Sequence, residues 1–394
     1  MTAFDSGANA DFQFDLAHSP ERAGSDSIKW RKYAGRDVIP MWVADMDFAA
    51  PQPILDALQA RIAHGVFGYA HAWPALEAAV VEGIARDHAW QIRPEWLVWL
   101  PGMVSAFNVA VRACTRPGDG VFTATPIYPP FLGAPGNFDC RLLTAPLQRQ
   151  GERWEWDWDA THAALADGAR LFMLCNPHNP VGRVFGRDEL ERIAQLAEAH
   201  DLVICSDEIH CGLVLDETRP HLPIAALGPE VAKRTITLMA PSKTWNIPAL
   251  YSAFAIIPDP ALRARYRKAM DGIVPAVGVL GLIGTEVAYR DCAPWRSALL
   301  DTLRANARQV LDSINALPGL HTTPVEATYL AWIDCTGLMA ARGISDPVRF
   351  FEEAGVGLSD GRDFGLPGFV RLNFGCPPER LAQALERMRR AVLG

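Results

Sequence analysis

The sequence predicts an α/β fold, with a mainly parallel central sheet flanked by helices and a second, smaller α+β domain. Three short apolar runs, at residues 171–175, 202–205 and 236–239, have the length and composition of buried strands. Between the first two runs, residues 188–200 carry apolar side chains at helical spacing. A strand, a helix and a strand at this spacing form a βαβ unit, whose strands are parallel and whose crossover is right-handed.

The remaining elements surround this unit. In chain order, the sequence predicts helices over 54–63 and 75–88, apolar runs at 96–100 and 120–123, a strand over 252–257, a helix over 304–317, a strand over 329–334, a helix near 347–354 and an apolar segment over 369–374. Pro51 and Pro53 mark the first of these helices, because proline suits a first helical turn. The mixed pattern after about residue 290 predicts a second domain. We therefore expect a large domain over 51–290 and a small domain formed by 291–394 together with the N-terminal segment 1–50.

Composition narrows the class of protein. A chain of 394 residues is long enough for two or three domains. Its net charge of -8 argues against nucleic acid or an anionic membrane as a partner. There is no apolar run of transmembrane length, and the first residues do not resemble a signal peptide. The eight cysteines form no CxxC pair, so we expect reduced thiols and a cytoplasmic location.

Polar residues of a particular kind follow the three central strands. Asn179 follows the first run, Asp207 and His210 follow the second, and Lys243 follows the third. Sites in open parallel sheets form at the carboxyl ends of the strands, so these residues are expected to share one crevice. An amide, a carboxylate, an imidazole and an amine suit an aldehyde cofactor with a pyridine ring, namely pyridoxal phosphate (PLP). The ten histidines show no zinc-binding spacing, so no metal is expected.

Lys243 and Asp207 are the main candidates for the chemistry. Burial of the Lys243 amine would favour its neutral form, which attacks an aldehyde. Its alternative is a solvated loop lysine. Asp207 facing the pyridine nitrogen would keep that nitrogen protonated, so that the ring can accept electrons from a substrate carbanion. Its alternatives are a helix N-cap and a buried ion pair.

Other residues could bind the remaining parts of the cofactor. Asn179 and His210 are candidates for binding its phenolic oxygen. The alternative for Asn179 is a tight loop without a binding role, and the alternative for His210 is an ordinary core histidine. The turn at Gly102 opens a predicted helix and offers free amides to a phosphate, and Ser242 adds a hydroxyl. An ordinary strand-to-helix turn explains Gly102 equally well.

Aromatic and cationic candidates complete the predicted site. Tyr128 follows a strand and could stack on a planar ring, although simple packing is the alternative. Arg371 lies in an apolar segment, where a cation needs an anion. That anion is either a substrate carboxylate or an internal Asp or Glu. Trp42 and Tyr329 are further aromatic residues that could line the pocket or simply pack.

Three motifs carry a family resemblance over residues 30–390. They are Asn-Pro-His-Asn-Pro-Val-Gly at 176–182, Ser-Asp-Glu-Ile-His at 206–210 and Ser-Lys-Thr-Trp-Asn at 242–246. In this order and spacing the chain resembles fold-type I PLP enzymes of the class I/II aminotransferase superfamily. The segment Pro-Met-Trp-Val-Ala-Asp-Met-Asp-Phe at 40–48 and the histidine at 210 resemble the MalY/PatB branch of cystathionine β-lyases, or C-S lyases.

The resemblance implies a function and a set of roles. The expected reaction is β-elimination of cystathionine or an S-substituted cysteine to a thiol, pyruvate and ammonia. The implied roles are Lys243 bound to the cofactor aldehyde, Asp207 at the pyridine nitrogen, Asn179 at the phenolic oxygen, Tyr128 on the ring, Arg371 and Trp42 at the substrate, the Met103 and Val104 backbone with Ser242 at the phosphate, and Tyr69 at the phosphate of a neighbouring subunit. The last role implies a homodimer.

Two positions depart from the family pattern. Ala240 stands where many relatives have a phosphate-binding serine, and Tyr251 stands where aspartate aminotransferases have a phosphate-binding arginine. The sequence also leaves two other functions open. An aminotransferase shares every step up to the carbanion. A non-catalytic PLP-fold regulator is less compatible with an acidic chain whose first 30 residues are too few for a DNA-binding domain.

Overall fold

A computed structural model describes residues 15–394. Its helices are α1 Ile28–Arg31, α2 Gln52–His64, α3 Pro74–His88, α4 Met103–Cys114, α5 Pro129–Gly133, α6 Trp158–Ala166, α7 Arg187–Ala199, α8 Pro229–Lys233, α9 Pro260–Met270, α10 Val279–Asp291, α11 Ala293–Asn315, α12 Thr336–Arg342, α13 Pro347–Glu353 and α14 Pro378–Leu393. Its strands are β1 Ile39–Pro40, β2 Leu97–Leu100, β3 Gly120–Thr125, β4 Arg141–Gln150, β5 Arg153–Trp156, β6 Ala169–Cys175, β7 Val203–Asp207, β8 Thr235–Met239, β9 Ala253–Ile256, β10 His321–Thr322, β11 Leu330–Asp334, β12 Val356–Gly357, β13 Ser359–Asp360 and β14 Phe369–Asn373.

The central sheet has eight strands in the order β2-β9-β8-β7-β6-β3-β4-β5. Strands β8, β7, β6, β3 and β4 are neighbours in parallel orientation, whereas β9 and β5 run antiparallel to the strands beside them. The predicted parallel sheet is therefore confirmed, and the three central apolar runs are its adjacent strands β6, β7 and β8. Their carboxyl ends lie side by side, which is the arrangement that the site prediction needs.

A second, four-stranded sheet follows in the chain. Its order is β10-β11-β14-β13, and all its pairs are antiparallel. Strand β1 pairs in parallel with β12, so the N-terminal segment joins this part of the molecule. The predicted association of residues 1–50 with the small domain includes residues 1–14, which lie outside the described residues.

Local sequence explains why the site-bearing elements begin and end where they do. Helix α4 begins directly after Gly102 and buries Met103, Ala106 and Phe107 against the sheet. Helix α7 begins with Asp188 and Glu189 in its first turn, and the Glu189 carboxylate accepts a bond from the Gly186 amide at 2.9 Å. Acidic side chains at this end stabilise the helix dipole.

Several boundaries differ from the prediction. Strand β7 extends to Asp207, so this carboxylate is the last strand residue rather than part of the loop. Helix α11 begins at Ala293 instead of residue 304, because Pro294 fits its first turn. Strands β4 and β5 and helices α6, α9 and α10 were not predicted. Strand β4 alternates buried and exposed residues at an edge of the sheet, so it lacks a continuous apolar run.

Within residues 15–394, the helices are all too short or too polar to cross a lipid bilayer.

Candidate active site

Lys243 lies just beyond the end of β8, in a half-buried position. Its Nζ donates a hydrogen bond to the Ala44 carbonyl oxygen at 2.6 Å. Burial, together with the positive charge of Arg371, lowers the pKa of the Lys243 amine to about 8. The amine can therefore lose its proton close to neutral pH, which a nucleophilic lysine requires.

The acceptor for Lys243 belongs to an irregular segment, residues 41–48, which we call the strap. Tyr329 is buried and donates its hydroxyl to the same Ala44 oxygen at 2.9 Å. The Asn373 amide donates to the carbonyls of Val43 and Asp45 at 2.6 and 2.7 Å. The small sheet thus holds the strap over the end of β8.

Asn246 fixes the strap from the other side. Its side chain accepts from the Met46 amide at 3.0 Å and donates to the carbonyls of Met46 and Phe48 at 2.9 and 2.8 Å. The residue has a φ of +53°, in the left-handed region that asparagine tolerates better than most residues. Because Asn246 stands three residues after Lys243, the lysine loop and the strap are held together.

A buried ion cluster anchors the far end of the strap. The Asp47 carboxylate lies 2.6 Å from Arg22, 3.0 Å from Lys29 and 3.3 Å from Arg380. It also accepts a bond from the Trp30 indole at 3.1 Å. Burial alone would raise the pKa of Asp47. The positive charge of Lys29 and the hydrogen bonds from these donors outweigh burial, so the pKa of Asp47 is below its usual value.

Asp207 ends β7 with its carboxylate buried. One oxygen accepts the Ile209 amide at 3.1 Å. Within residues 15–394, no cation forms a salt bridge with this carboxylate. Burial raises the pKa of Asp207 to about 7, the negative charge of Glu208 adds to the rise, and Lys243 opposes it. No helix begins at Asp207, and no cation pairs with it within residues 15–394. A buried carboxylate without a cation suits a protonated pyridine nitrogen.

Asn179 and Arg371 are in direct contact. Arg371 is buried in β14, and its Nη1 donates to the Asn179 side-chain oxygen at 2.9 Å. Its Nη2 donates to the Trp42 carbonyl at 3.0 Å and to the Ser359 hydroxyl at 3.3 Å. Its Nε has no hydrogen-bond partner, and no Asp or Glu of the described chain pairs with it. Burial lowers the pKa of Arg371 to about 10.

His210 and Trp42 occupy different environments. His210 is buried with its Nδ1 unpartnered, its ring 6.0 Å from the Tyr329 ring. Burial, with the nearby charges of Lys243 and Arg371, lowers its pKa to about 3, so the imidazole is neutral. The Trp42 indole donates to the Lys29 carbonyl at 3.0 Å, and the Lys32 ammonium lies 4.7 Å from its ring. Only the Trp42 backbone oxygen contacts Arg371.

The residues predicted to contact the ring and the phosphate have the following positions. Tyr128 precedes α5, and burial raises the pKa of its phenol, as does the charge of Asp207. Met103 and Val104 are the first residues of α4, where free amides point out of the helix. Ser242 is half-buried beside Lys243.

Two tyrosines singled out in the sequence, one as a phosphate contact of a neighbouring subunit and one as a departure from the family pattern, are exposed. Tyr69 is fully exposed in the coil between α2 and α3, so within this chain it contributes nothing to the pocket. Tyr251, at the position of the family arginine, is also exposed. No cation therefore replaces that arginine at position 251.

Sequence reasoning missed several residues that shape this site. Ser359, Asn373 and Asn246 all contact the strap or Arg371, and the structure also places Phe364 beside Arg371. Only Asn246 had a detectable signal, since it lies within the Ser-Lys-Thr-Trp-Asn motif. The described chain contains no group of three or more His, Cys, Asp or Glu residues able to hold a metal ion.

This arrangement fits PLP. Lys243 offers an amine of lowered pKa, Asp207 an uncompensated carboxylate, and His210 and Arg371 unpartnered buried nitrogens. An aldehyde on a pyridinium ring, with a phenolic oxygen nearby and an amino-acid carboxylate beside it, would satisfy each of these groups.

The chain belongs to the aminotransferase class I and II family, whose model matches residues 36–388. Its relatives include the cystathionine beta-lyase PatB of Bacillus subtilis, 34% identical over 94% of this chain and 98% of that protein. A crystal structure of OvoB is 47% identical, with a TM-score of 0.93, and the match covers 96% of this chain and 99% of that one. Cystalysin from Treponema denticola, whose structure contains pyridoxal 5'-phosphate, is 30% identical with a TM-score of 0.91, over 96% and 99% of the two chains.

Proposed function

We propose that this protein is a PLP-dependent carbon–sulfur β-lyase, which cleaves cystathionine or another S-substituted cysteine to a thiol, pyruvate and ammonia. One observation carries the proposal. The Asp207 carboxylate ends β7, the Lys243 amine lies just beyond the end of the neighbouring parallel strand β8, and the Arg371 guanidinium, unpaired within residues 15–394, lies close enough to Lys243 to lower its pKa. The similarity to PatB supports sulfur amino acids as substrates.

The residues that would hold the cofactor follow from their positions. Lys243 would bond to its aldehyde, Asp207 would pair with its pyridine nitrogen, and Tyr128 would stack on its ring. Asn179 and His210 would bind its phenolic oxygen, His210 as a neutral imidazole. The Met103 and Val104 amides, the Ser242 hydroxyl and Tyr69 of the partner subunit would bind its phosphate.

The protein groups would divide the work of the reaction. Bound PLP would supply an electron sink for the carbanion at the substrate Cα. Arg371 would bind the substrate carboxylate, and the Trp42 carbonyl holds its guanidinium. Lys243, besides holding the cofactor, would take the proton from Cα. The electron pair left at Cα forms a double bond to Cβ and expels the sulfur as a thiolate. The released aminoacrylate reacts with water to give pyruvate and ammonia.

An aminotransferase is the second candidate, because the family model covers such enzymes. It would return a proton to the cofactor and then need a 2-oxo acid to complete the cycle. Purified protein given cystathionine without any 2-oxo acid distinguishes the two functions. Sustained release of pyruvate is expected, whereas turnover that appears only with added 2-oxo acid would contradict the lyase.

Lys243→Ala tests the chemical role of the lysine. We expect the variant to lose the visible absorption of covalently attached cofactor and to release thiol at least about 1,000-fold more slowly, because it lacks both the nucleophile and the base. The change is measured by absorption spectra and by thiol release. Lys233→Ala, on the exposed surface of α8, serves as the control. An unchanged spectrum in the Lys243 variant would refute the assignment.

The proposal extends to assembly, location and domains. We expect a homodimer, because Ile62, Val66, Phe67 and Tyr69, close together in the chain, are large apolar or aromatic side chains left exposed. A reducing, cytoplasmic location is supported by eight unpaired cysteines. The proposed large domain, 51–290, contains the eight-stranded sheet, and the proposed small domain contains the four-stranded one.

A further inference from the structure

The Arg371 guanidinium has an unusual set of neighbours for a buried cation. Within residues 15–394, its hydrogen bonds go to neutral oxygens, those of Asn179, Trp42 and Ser359. A buried cation without an anion is costly, so an additional stabilising contact is expected.

Phe364 makes that contact. The guanidinium carbon of Arg371 lies 4.7 Å from the centre of the Phe364 ring. The ring is buried and packs edge-on against Trp332, with 5.4 Å between the ring centres. Trp332 is in turn the cross-strand neighbour of Arg371, on β11. The guanidinium therefore lies between a fixed aromatic ring and the neutral oxygens.

The backbone around Phe364 holds the ring in place. The Phe364 carbonyl accepts a bond from the Ile127 amide at 3.0 Å, next to Tyr128. The following residue, Gly365, has a φ of +85°, which a side chain would strain. These contacts connect the turn that carries Phe364 with the strand end that carries Tyr128.

The choice of an aromatic partner has a consequence for ligand binding. An aspartate in this place would neutralise Arg371 and compete with the substrate carboxylate. An aromatic face attracts the cation through its quadrupole, yet it carries no net charge. It also leaves the edge of the guanidinium available, including the unpartnered Nε.

We propose that Phe364 is a positioning residue for substrate recognition. It holds the Arg371 guanidinium in place without neutralising it, so that its charge is available to bind the α-carboxylate of the amino-acid substrate. The role rests on the proposed function, since it assumes that Arg371 binds that carboxylate. In this role Phe364 acts through Arg371.

The test compares Phe364→Leu with the wild-type holoenzyme. We expect KM for cystathionine to rise roughly tenfold, which corresponds to about 1.4 kcal/mol, while kcat changes less than about threefold. Phe364→Tyr, which keeps the aromatic face, is expected to restore KM. Phe369→Leu is the matched control, because Phe369 stacks on the same Trp332 without lying against Arg371.

A second readout separates the carboxylate from the rest of the substrate. Ligand binding is followed by the change in cofactor absorption, with an S-substituted cysteine and with the corresponding S-substituted cysteamine, which lacks the carboxylate. In Phe364→Leu, only the ligand with the carboxylate should bind more weakly, again by about tenfold. A general disturbance of the pocket would weaken both.

The inference is overturned if Phe364→Leu leaves KM unchanged, or if it weakens both ligands equally. Should the leucine variant fold poorly, Phe364→Met provides the same comparison, because it fills a similar volume without an aromatic face. Failure of the proposed function has a different signature. A wild-type protein without cofactor absorption would refute PLP binding, whereas a transaminating enzyme would still show the selective loss of the carboxylate ligand.

Discussion

Three ionisable residues in this site are buried without an oppositely charged partner among the described residues. Lys243, Asp207 and Arg371 each lack an ion-pair partner within residues 15–394, and the pKa of each is shifted toward its neutral form by burial. Burial of this kind opposes folding of the empty protein. It also prepares the groups to react with, or bind, a ligand that supplies the missing charges.

Asp207 gives a pH-dependent prediction for the cofactor-free protein. Its pKa is about 7 when folded, above an unfolded value of about 3.9. The carboxyl group therefore does not oppose folding below about pH 4, its cost to folding grows between about pH 4 and pH 7, and this cost is constant at higher pH. Asp207→Asn should raise the free energy of unfolding at pH 8, by at most about 4 kcal/mol, and should have little effect at pH 4.

The measurement is urea unfolding of the cofactor-free proteins at several pH values between 4 and 8. Asp312→Asn, at an exposed position of α11, is the control and should follow the wild type throughout. If the free energies of unfolding of the wild type and Asp207→Asn changed with pH in the same way, the pKa of Asp207 would not be raised in the folded protein.

At the scale of elements, the strap is the segment that completes the site. It has almost no regular structure, and its position depends on side chains from other parts of the chain. Tyr329, Asn246 and Asn373 bind its backbone, and the cluster around Asp47 fixes its end. Since the Ala44 carbonyl is the partner of Lys243, the strap helps to orient this amine.

Asp47→Ala should destabilise the protein strongly. It leaves the fully buried Lys29 ammonium, and the Arg22 and Arg380 guanidinium groups, without their shared carboxylate. We expect a loss of roughly 3–5 kcal/mol in the free energy of unfolding, measured by urea denaturation.

The control for Asp47→Ala is Glu353→Ala, which removes an exposed ion pair with Arg349. It should cost less than about 1 kcal/mol. Equal losses in the two variants would mean that the Asp47 cluster adds no more than a surface ion pair does.

At the scale of the whole molecule, the two main sheets meet beside the Asn179 loop. The Gly182 carbonyl accepts the amides of Glu326 and Ala327, at 2.9 and 3.0 Å. The Arg183 guanidinium pairs with the Glu326 carboxylate at 3.3 Å. The loop that follows β6 is therefore fixed to the chain that enters β11.

Gly182→Ala probes this junction. Gly182 has a φ of +71°, and a Cβ placed there would lie 2.9 Å from a Val325 methyl group. Strain and close contact together should lower the free energy of unfolding by about 1–3 kcal/mol, measured by denaturant titration.

Gly133→Ala is the matched control for Gly182→Ala. Gly133 ends the helix α5, and an added Cβ would meet no atom within 4 Å. It should be neutral or slightly stabilising. If the two alanine variants had the same free energy of unfolding, the backbone and side chains around Gly182 would accommodate the added Cβ without loss of stability.

Patterns in the sequence were enough to predict the three central strands β6, β7 and β8 and the residues that follow them. Asn179, Asp207, His210 and Lys243 were predictable because the apolar runs before them specify strands, and parallel strands bring their carboxyl ends to one edge. That argument uses only local patterns and a general rule of topology.

Only the tertiary structure decided what these groups contact. Lys243 binds a carbonyl 199 residues away in the chain, and Arg371 binds an amide 192 residues away. Every residue has a backbone carbonyl, so no pattern marks Ala44 or Trp42 as an acceptor. In the same way, an aromatic residue such as Phe364 looks like an ordinary core residue until the packing of the two sheets places a guanidinium against its face.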